Sequence, residues 1–433
     1  MSTKGKERGP NILMISTDQQ HAWTMSRLGN RDLATPALDG LMERGTTLTK
    51  NYCTYPLCSP ARASMYTGRM PSEAGVHENG LGIREDIPNV GQWFTSQTDY
   101  ETLYAGKWHV AVPHTVDIPG FRVINTGINC EGAASDYSVS MACEAYLRNR
   151  SREKPFLLAV NFTQPHDIGR WVSYHSDDPG RIRYPAIMEE LPELPANFEV
   201  TFEEPALMRE RRLGKVPCRK EWGELQWRFY RWAYYRMVEM VDAEIGRVLK
   251  ALDESGEGED TLVIFTSDHG EGLGHHQSIT KGFLHDEASR VPLIVSWPGV
   301  LPQGRVDDES LVSGLDLVPT MCDYAGIAIP EKMTGVSLRG VLERGEQPNR
   351  ACIGVEAYGG RGQMIRTPRY KYITLKDDPV ELLFDMDKDP GETRNLATEE
   401  AHAKVLKEHR ELLLTWNRGL DIAETVPAKC RWV

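Results

Sequence analysis

The chain has 433 residues, a formal net charge of −12, 40% hydrophobic and 26% charged residues. That length suits one large domain with a smaller one beside it, and the composition is that of a folded globular protein rather than a disordered or fibrous one. So negative a surface repels phosphate backbones and argues against a nucleic-acid partner, while a few local Lys and Arg still allow a cleft to take a small anion.

The first residues, MSTKGKERGPN, are polar and lead into a short apolar run, Ile12 to Ile15. That run is too short for an export signal or a membrane span, and no other stretch approaches 18 apolar residues. The expectation is a cytoplasmic protein with no membrane partner. Eight cysteines are scattered without a CxxC pair, which argues against a zinc ribbon or redox dithiol and for mostly free thiols. Only Cys58 stands in a context that suggests chemistry.

In chain order, the apolar runs Asn11–Thr17, Glu101–Ala105, Pro155–Phe162, Thr261–Thr266 and Pro292–Ser296 read as buried parallel strands. Helical stretches separate them, so an α/β layer fold is expected. Between Met237 and Leu252, apolar residues recur at three- and four-residue steps, which predicts an amphipathic helix ended near Gly256. Residues 167–232 are rich in Pro, Trp, Tyr and Arg without a period, and read as an irregular excursion shaping a substrate cleft. Trp171, Trp222, Trp227 and Trp232 there suit either stacking on a sugar or aryl ring or the core. From about residue 348 the texture changes. Met364–Leu375 reads as a strand pair turning at Thr367-Pro368-Arg369, and a charged helix comes next, from about Glu399 to Trp416. The expected division is a catalytic domain over 1–347 and a small α+β domain over 348–433.

The residues just beyond the strands are informative. The runs end in Asp18-Gln19, in Lys107 and His109 beyond Gly106, in His166-Asp167, and in Asp268-His269. One polar residue after a strand is usually a turn or cap residue. Four such ends in a parallel sheet would meet along one edge, where α/β proteins bind ligands. Asp18, Gln19, Asp268 and His269 suit one divalent metal. They are too oxygen-rich for structural zinc and favour Ca2+, with Mn2+ or Mg2+ open because of the imidazole.

Cys58-Ser59-Pro60-Ala61-Arg62 reads as a helix start, with Ser59 as cap, Pro60 in the first turn and an end near Gly68. Cys58 and Arg62, four residues apart, share a side. The helix N-terminus adds partial positive charge and free N–H groups for a tetrahedral oxyanion.

The segment CSPARASMYTGRMP (Cys58–Pro71) resembles the type I sulfatase signature Cys-x-Pro-x-Arg. LYAGKWH (Leu103–His109), TQPHD (Thr163–Asp167), SDHGE (Ser267–Glu271), KGFLHDEASRVPLI (Lys281–Ile294) and ELLFDMDKDPGETRNLA near the end agree with that family, in order along almost the whole chain. The resemblance implies the alkaline-phosphatase-like fold: a large mixed β-sheet sandwiched by helices, then a small C-terminal α+β domain with a four-stranded antiparallel sheet and a helix. It implies that a formylglycine-generating (sulfatase-maturating) enzyme oxidises Cys58 to formylglycine (3-oxoalanine). The hydrated aldehyde would attack sulfur, and its second hydroxyl would release sulfate. The implied metal ligands are Asp18, Gln19, Asp268 and His269, with position 58. Arg62 would stabilise the diol and the metal site. His109 would contact the second hydroxyl, and Lys107 and Lys281 would neutralise sulfate oxygens. His166, alone or with Lys281, would protonate the leaving oxygen. The expected substrate is a small sulfated sugar, aryl or alkyl ester. Asn79 and His77, in GVHENG, are candidates to touch the pocket and stand outside this set.

Asp18-Gln19 and Asp268-His269 replace the commoner Asp-Asp and Asp-Asn of the family. Similar pairs stand in related phosphonate monoester and phosphodiester hydrolases and in some bacterial sulfatases, so such a hydrolase is the alternative activity. If Cys58 stays a thiol, a metal-dependent anion-binding module is the remaining one.

Overall fold

The computed structural model describes residues 9–111, 117–127, 131–175, 185–214 and 222–432. The strands, in chain order, are β1 (Asn11–Asp18), β2 (Thr46–Leu48), β3 (Asn51–Tyr52), β4 (Glu101–Gly106), β5 (Arg122–Asn125), β6 (Phe156–Pro165), β7 (Thr261–Ser267), β8 (Leu293–Ser296), β9 (Arg305–Asp307), β10 (Val312–Ser313), β11 (Ile353–Ala357), β12 (Gly362–Arg366), β13 (Tyr370–Leu375) and β14 (Leu382–Asp385). Among the described residues, eight strands form one sheet in the order β5-β4-β6-β1-β7-β8-β2-β9. β4, β6, β1 and β7 are parallel neighbours.

Side chains alternate across the sheet with period two, and this builds the core. Leu13 and Ile15 of β1 pack with Val241, Ile245 and Val248 of the helix Glu224–Glu254 and with Leu38 and Leu41 of the helix Pro36–Glu43. Ile12 and Met14 face the other way, onto Tyr66 of the helix Cys58–Thr67, Phe94 and Met321. Helices thus cover both faces of a mixed sheet.

Three expectations need correction. β8 is antiparallel to β7, since an apolar run carries burial but no direction. The amphipathic helix begins at Glu224, not near Met237. Trp227, Tyr230 and Tyr234 continue the stripe of Val238, Val241 and Ile245 backwards at the same steps and are buried with it. Residues 167–232 are accordingly less irregular than they read. They hold the helices Ile168–His175 and Ala206–Gly214 as well as the first turns of the long one; 176–184 and 215–221 lie outside the described residues. Trp222 and Trp227 are core, with Trp171 and Trp232 packed against them.

The second sheet, β11-β12-β13-β14, is antiparallel throughout, and its β12–β13 turn falls at residues 367–369, where it was expected. The helix Ala403–Arg418 covers one face through Leu406 and Leu413 on Ile365, Tyr372 and Leu383. The other face packs on the first part of the chain through Ile353, Met364 and Phe384 against Tyr52, Leu284 and Leu311. Cys53, Cys58, Cys143, Cys322, Cys352 and Cys430 are buried free thiols; Cys130 and Cys218 lie outside the described residues. No helix among the described residues is long and apolar enough to cross a membrane.

Candidate active site

The parallel run β4-β6-β1-β7 brings its polar ends together. Asp18 closes β1, Lys107 comes directly after β4, His166 after β6, and Asp268 and His269 after β7. The turn after β4 depends on Gly106: at φ 96°, a Cβ there would lie 1.9 Å from the Asn161 carbonyl oxygen. With that contact free, the Lys107 backbone N–H donates to the same carbonyl at 2.9 Å, and the side chain turns inward. Gln19 takes φ 75°, a strained value for a side-chain residue. Its N–H donates to Asp268 Oδ1 at 3.0 Å, and its carbonyl accepts from Tyr234 Oη at 2.6 Å.

Cys58 enters this edge from the helix Cys58–Thr67. Leu57 is its N-cap residue and Cys58 the first helical residue, so Ser59 does not cap, contrary to expectation. The Ser59 hydroxyl donates to the His109 carbonyl, and the Ser59 N–H is taken by Asn79 Oδ1 at 3.0 Å. Gly68, at φ 68°, closes the helix as expected. Cys58 Sγ lies 3.4 Å from His269 Nε2, 3.7 Å from Asp18 Oδ1, 3.2 Å from Lys281 Nζ and 4.0 Å from Lys107 Nζ.

Arg62, completely buried, binds the carboxylates rather than the sulfur. Its Nε donates to Asp268 Oδ2 at 2.9 Å and its Nη2 to Asp18 Oδ2 at 3.3 Å. Nη1 donates to the Lys107 carbonyl at 2.7 Å and to Asn161 Oδ1 at 3.3 Å. Lys107 Nζ pairs with Asp18 Oδ2 at 2.6 Å. Lys281 Nζ donates to Gln19 Oε1 at 2.6 Å. Half-buried His109 enters mainly through its backbone, and its Nδ1 has no hydrogen-bond partner among the described residues.

Charge decides the protonation states. Burial and Asp18 oppose ionisation of the Cys58 thiol, but Lys107 and then Lys281 outweigh them and hold it well below the ordinary range. Burial likewise opposes ionisation of Asp18, yet Lys107, His166, Lys281 and Arg62 keep it ionised. Burial, and then Asp18 beside it, push Asp268 up to about 6. For His166, burial and the two lysines lower the imidazole to about 4. Burial lowers Lys281, but Cys58, Asp18 and Asp268 raise it on balance.

The donor set fits a cation. His269 Nδ1 lies 3.0 Å from the Gly270 carbonyl, which assigns the proton to Nδ1 and leaves the Nε2 lone pair facing inward. That lone pair faces Asp18 Oδ1 at 3.7 Å and Asp268 Oδ1 at 3.6 Å. Asp18, Cys58, Asp268 and His269 present ligand atoms within 4.8 Å of one another, a set that would hold one divalent cation. Gln19 Nε2 donates to Glu271, and its oxygen accepts from Lys281 Nζ.

Three supporting residues, Asn161, Glu271 and Tyr234, escaped the sequence reading, and a fourth, Asn79, was placed near the pocket but left out of the site. Asn161 Oδ1 gathers Ser16, Arg62 and Tyr66. Glu271 orients Gln19 and receives the Tyr230 hydroxyl. Tyr234 holds the Gln19 backbone and Asn79 the helix entry. Each is a lone polar residue in sequence; only Glu271, as the last residue of SDHGE, and Asn79, within GVHENG, had a signal.

Comparison with known proteins agrees with this geometry. The Sulfatase family profile matches residues 10–327, and the profile described as N-sulphoglucosamine sulphohydrolase, C-terminal, matches residues 274–418. A Δ4,5-hexuronate-2-O-sulfatase from Bacteroides thetaiotaomicron is 33% identical, covering 93% of this chain and 88% of that protein. An arylsulfatase from Clostridium perfringens is 28% identical, covering 95% of each. A 2-O GAG sulfatase structure superposes with TM-score 0.83 at 30% identity, over 98% of this chain and 96% of the other. The phosphonate monoester hydrolase of Agrobacterium radiobacter shares the fold at TM-score 0.78 and 24% identity, over 95% and 96% of the two chains. A profile spanning most of the chain, a relative at 33% identity and a cysteine-headed helix on a shared sheet edge place the protein in the sulfatase family, as a hydrolase of sulfuric esters.

Proposed function

We propose that this sulfatase cleaves a sulfated saccharide, with formylglycine made from Cys58 as nucleophile and one divalent cation, Ca2+ first and Mn2+ or Mg2+ next, beside it. The observation that carries the reading is the convergence on Cys58 Sγ of Lys281 Nζ, His269 Nε2 and Asp18 Oδ1 within 3.7 Å at a helix N-terminus. The family works with a divalent metal and a formylglycine. Hydrated formylglycine supplies one hydroxyl for attack and a second whose proton loss releases sulfate. Asp18, Gln19, Asp268 and His269, with position 58, would hold the cation, whose charge favours the ionised hydroxyl and polarises the ester.

The remaining residues act directly. Arg62 locks the two carboxylates in place and offsets their repulsion. Lys107 and Lys281 neutralise sulfuryl oxygens as they gain charge, and being fixed beforehand they need no reorganisation. His109, beside the helix entry, is assigned to take the proton of the second hydroxyl. His166 rests neutral between two lysines, and an anionic ester placed among them reverses that balance. The ring then holds a proton for the leaving oxygen, with Lys281 as its partner.

The substrate reading takes its class from the relative that acts on 2-O-sulfated Δ4,5-hexuronate. Conversion of Cys58 requires a formylglycine-generating enzyme as partner. Buried unpaired thiols suit a reducing, cytoplasmic compartment. We also assign residues 1–347 to the catalytic unit and 348–433 to the small one, because the second sheet begins at Ile353. Rates on a 2-O-sulfated unsaturated uronate disaccharide, an aryl sulfate, choline sulfate, a phosphonate monoester and a phosphodiester test the proposal. The disaccharide should be the best substrate; faster turnover of the phosphonate or phosphodiester would replace it with the alternative activity.

A further inference from the structure

Lys281 does not stand on a sheet strand. It rides on the long connection from β7 to β8, and its position depends on how that connection is held. On its N-terminal side the catalytic unit supplies the hold: Glu271 Oε1 accepts from the Gly272 and Thr280 N–H groups, and Gly272 N–H donates to the Thr280 carbonyl at 2.8 Å.

On its C-terminal side the hold comes from the second sheet. Lys371 of β13 extends Nζ to Asp286 Oδ1 at 2.5 Å and to the Leu284 carbonyl at 3.3 Å. Glu392, beyond β14, pairs with Lys371 at 2.9 Å. The same Oε1 faces His285 Nδ1 at 3.1 Å, and Oε2 accepts the Asp286 N–H at 2.7 Å. Lys371 and Glu392 are both completely buried. Residues 284, 285 and 286 are thus gripped a few positions after Lys281 by Lys371 of the second sheet and by Glu392 in the segment after it. An apolar contact would allow the loop to slide; directional hydrogen bonds to three consecutive residues fix its register.

We propose that Lys371 and Glu392 are positioning residues for Lys281, so that the small C-terminal unit sets the geometry of the active site. The inference rests on the reading that Lys281 acts on the sulfuryl group. Loss of the clamp would leave the fold of both sheets intact while Lys281 Nζ drifts from its place 3.2 Å from position 58. A displacement near 1 Å in such a group costs up to about a hundredfold in rate.

The test is kcat per folded, formylglycine-bearing site, measured well below each variant's Tm, for Glu392→Gln, for the pair Lys371→Met with Glu392→Gln, and for both again in a Lys281→Ala background. The paired variant removes opposite charges together, so it carries the test if the single variant does not fold; Asp286 keeps Tyr52 Oη at 3.0 Å and Arg290 at 3.5 Å as partners. The clamp predicts a loss of about tenfold to a hundredfold in kcat, and no further loss once Lys281 is already Ala. Wild-type kcat in the clamp variants, or a loss undiminished in the Lys281→Ala background, overturns it. Full activity in Lys281→Ala alone overturns the parent reading and the clamp with it, and that single variant tells the two failures apart.

Discussion

Lys281 Nζ stands 3.2 Å from Cys58 Sγ, across 223 residues of chain. The same amine bonds Gln19 Oε1 and lies 3.8 Å from Asp18 Oδ1, so it links the nucleophile position to the proposed cation ligands. Its charge gains most when the ester oxygens become more negative. Lys281→Ala should lower kcat by about a hundredfold to a thousandfold with a small change in Tm. Lys107→Ala should lose both rate and Tm, because Lys107 is sealed in a 2.6 Å pair with Asp18. Steady-state kinetics and thermal melts on the two variants check this, and near-wild-type kcat in both removes the lysines from the chemistry.

Removing the cation should destabilise as well as inactivate. His269 Nε2 lies 3.7 Å from Asp18 Oδ1 and 3.6 Å from Asp268 Oδ1, a donor set that only the folded chain assembles, and a ligand that binds only the folded state stabilises by mass action. Chelation should lower Tm and abolish turnover, and Ca2+ should restore both. Asp268→Ala should bind no metal and show no such Tm response. A chelated protein with full activity and unchanged Tm would rule out the site.

His166 should matter in proportion to the leaving group. A nitrophenolate departs unprotonated, whereas a sugar alkoxide needs a proton. His166→Ala should slow saccharide sulfates far more than nitrophenyl sulfate and steepen the dependence of rate on leaving-group pKa. An unchanged slope in both His166→Ala and Lys281→Ala would exclude both as the acid.

Stability should fall as pH rises, and Glu356 should be one of the buried carboxyls responsible. Glu356 of β11 accepts Ser72 Oγ at 2.5 Å and Ser72 N–H at 3.1 Å, yet burial raises it from 4.5 to about 7. Between those values the folded state binds more protons than the unfolded state, so unfolding free energy falls as pH rises through this window and levels above it. A shift of that size corresponds to about 3–4 kcal/mol. Glu356→Gln should flatten this slope in denaturant titrations across pH 4.5 to 8; an unaltered slope would show that the carboxyl is ionised throughout.

Much of the site was legible because burial and chemistry alternate sharply at the strand ends. Asp18, Lys107, His166 and Asp268 each come at the end of an apolar run, and the parallel order β4-β6-β1-β7 lines them up. Cys58 and Arg62 were legible from four-residue spacing and the helix start. Asn161, Asn79 and Glu271 were not, since their work lies in hydrogen bonds across 20 to 252 residues of chain that no local pattern encodes. The direction of β8 was hidden because antiparallel and parallel buried strands carry the same apolar run. The early turns of Glu224–Glu254 were hidden for a different reason: aromatic rings with polar tips make its apolar stripe, and Tyr230 and Tyr234 spend their hydroxyls on Glu271 and Gln19.

The central claim is that residue 58 works as formylglycine, and the mass of the peptide containing it tests this most directly. In active protein that peptide should weigh about 18 Da less than its cysteine form, by the chemistry of the modification, and specific activity across preparations should track the modified fraction. Cys58→Ser and Cys58→Ala should fold and be inactive. Full sulfatase activity from protein whose residue 58 is an unmodified cysteine would contradict the account.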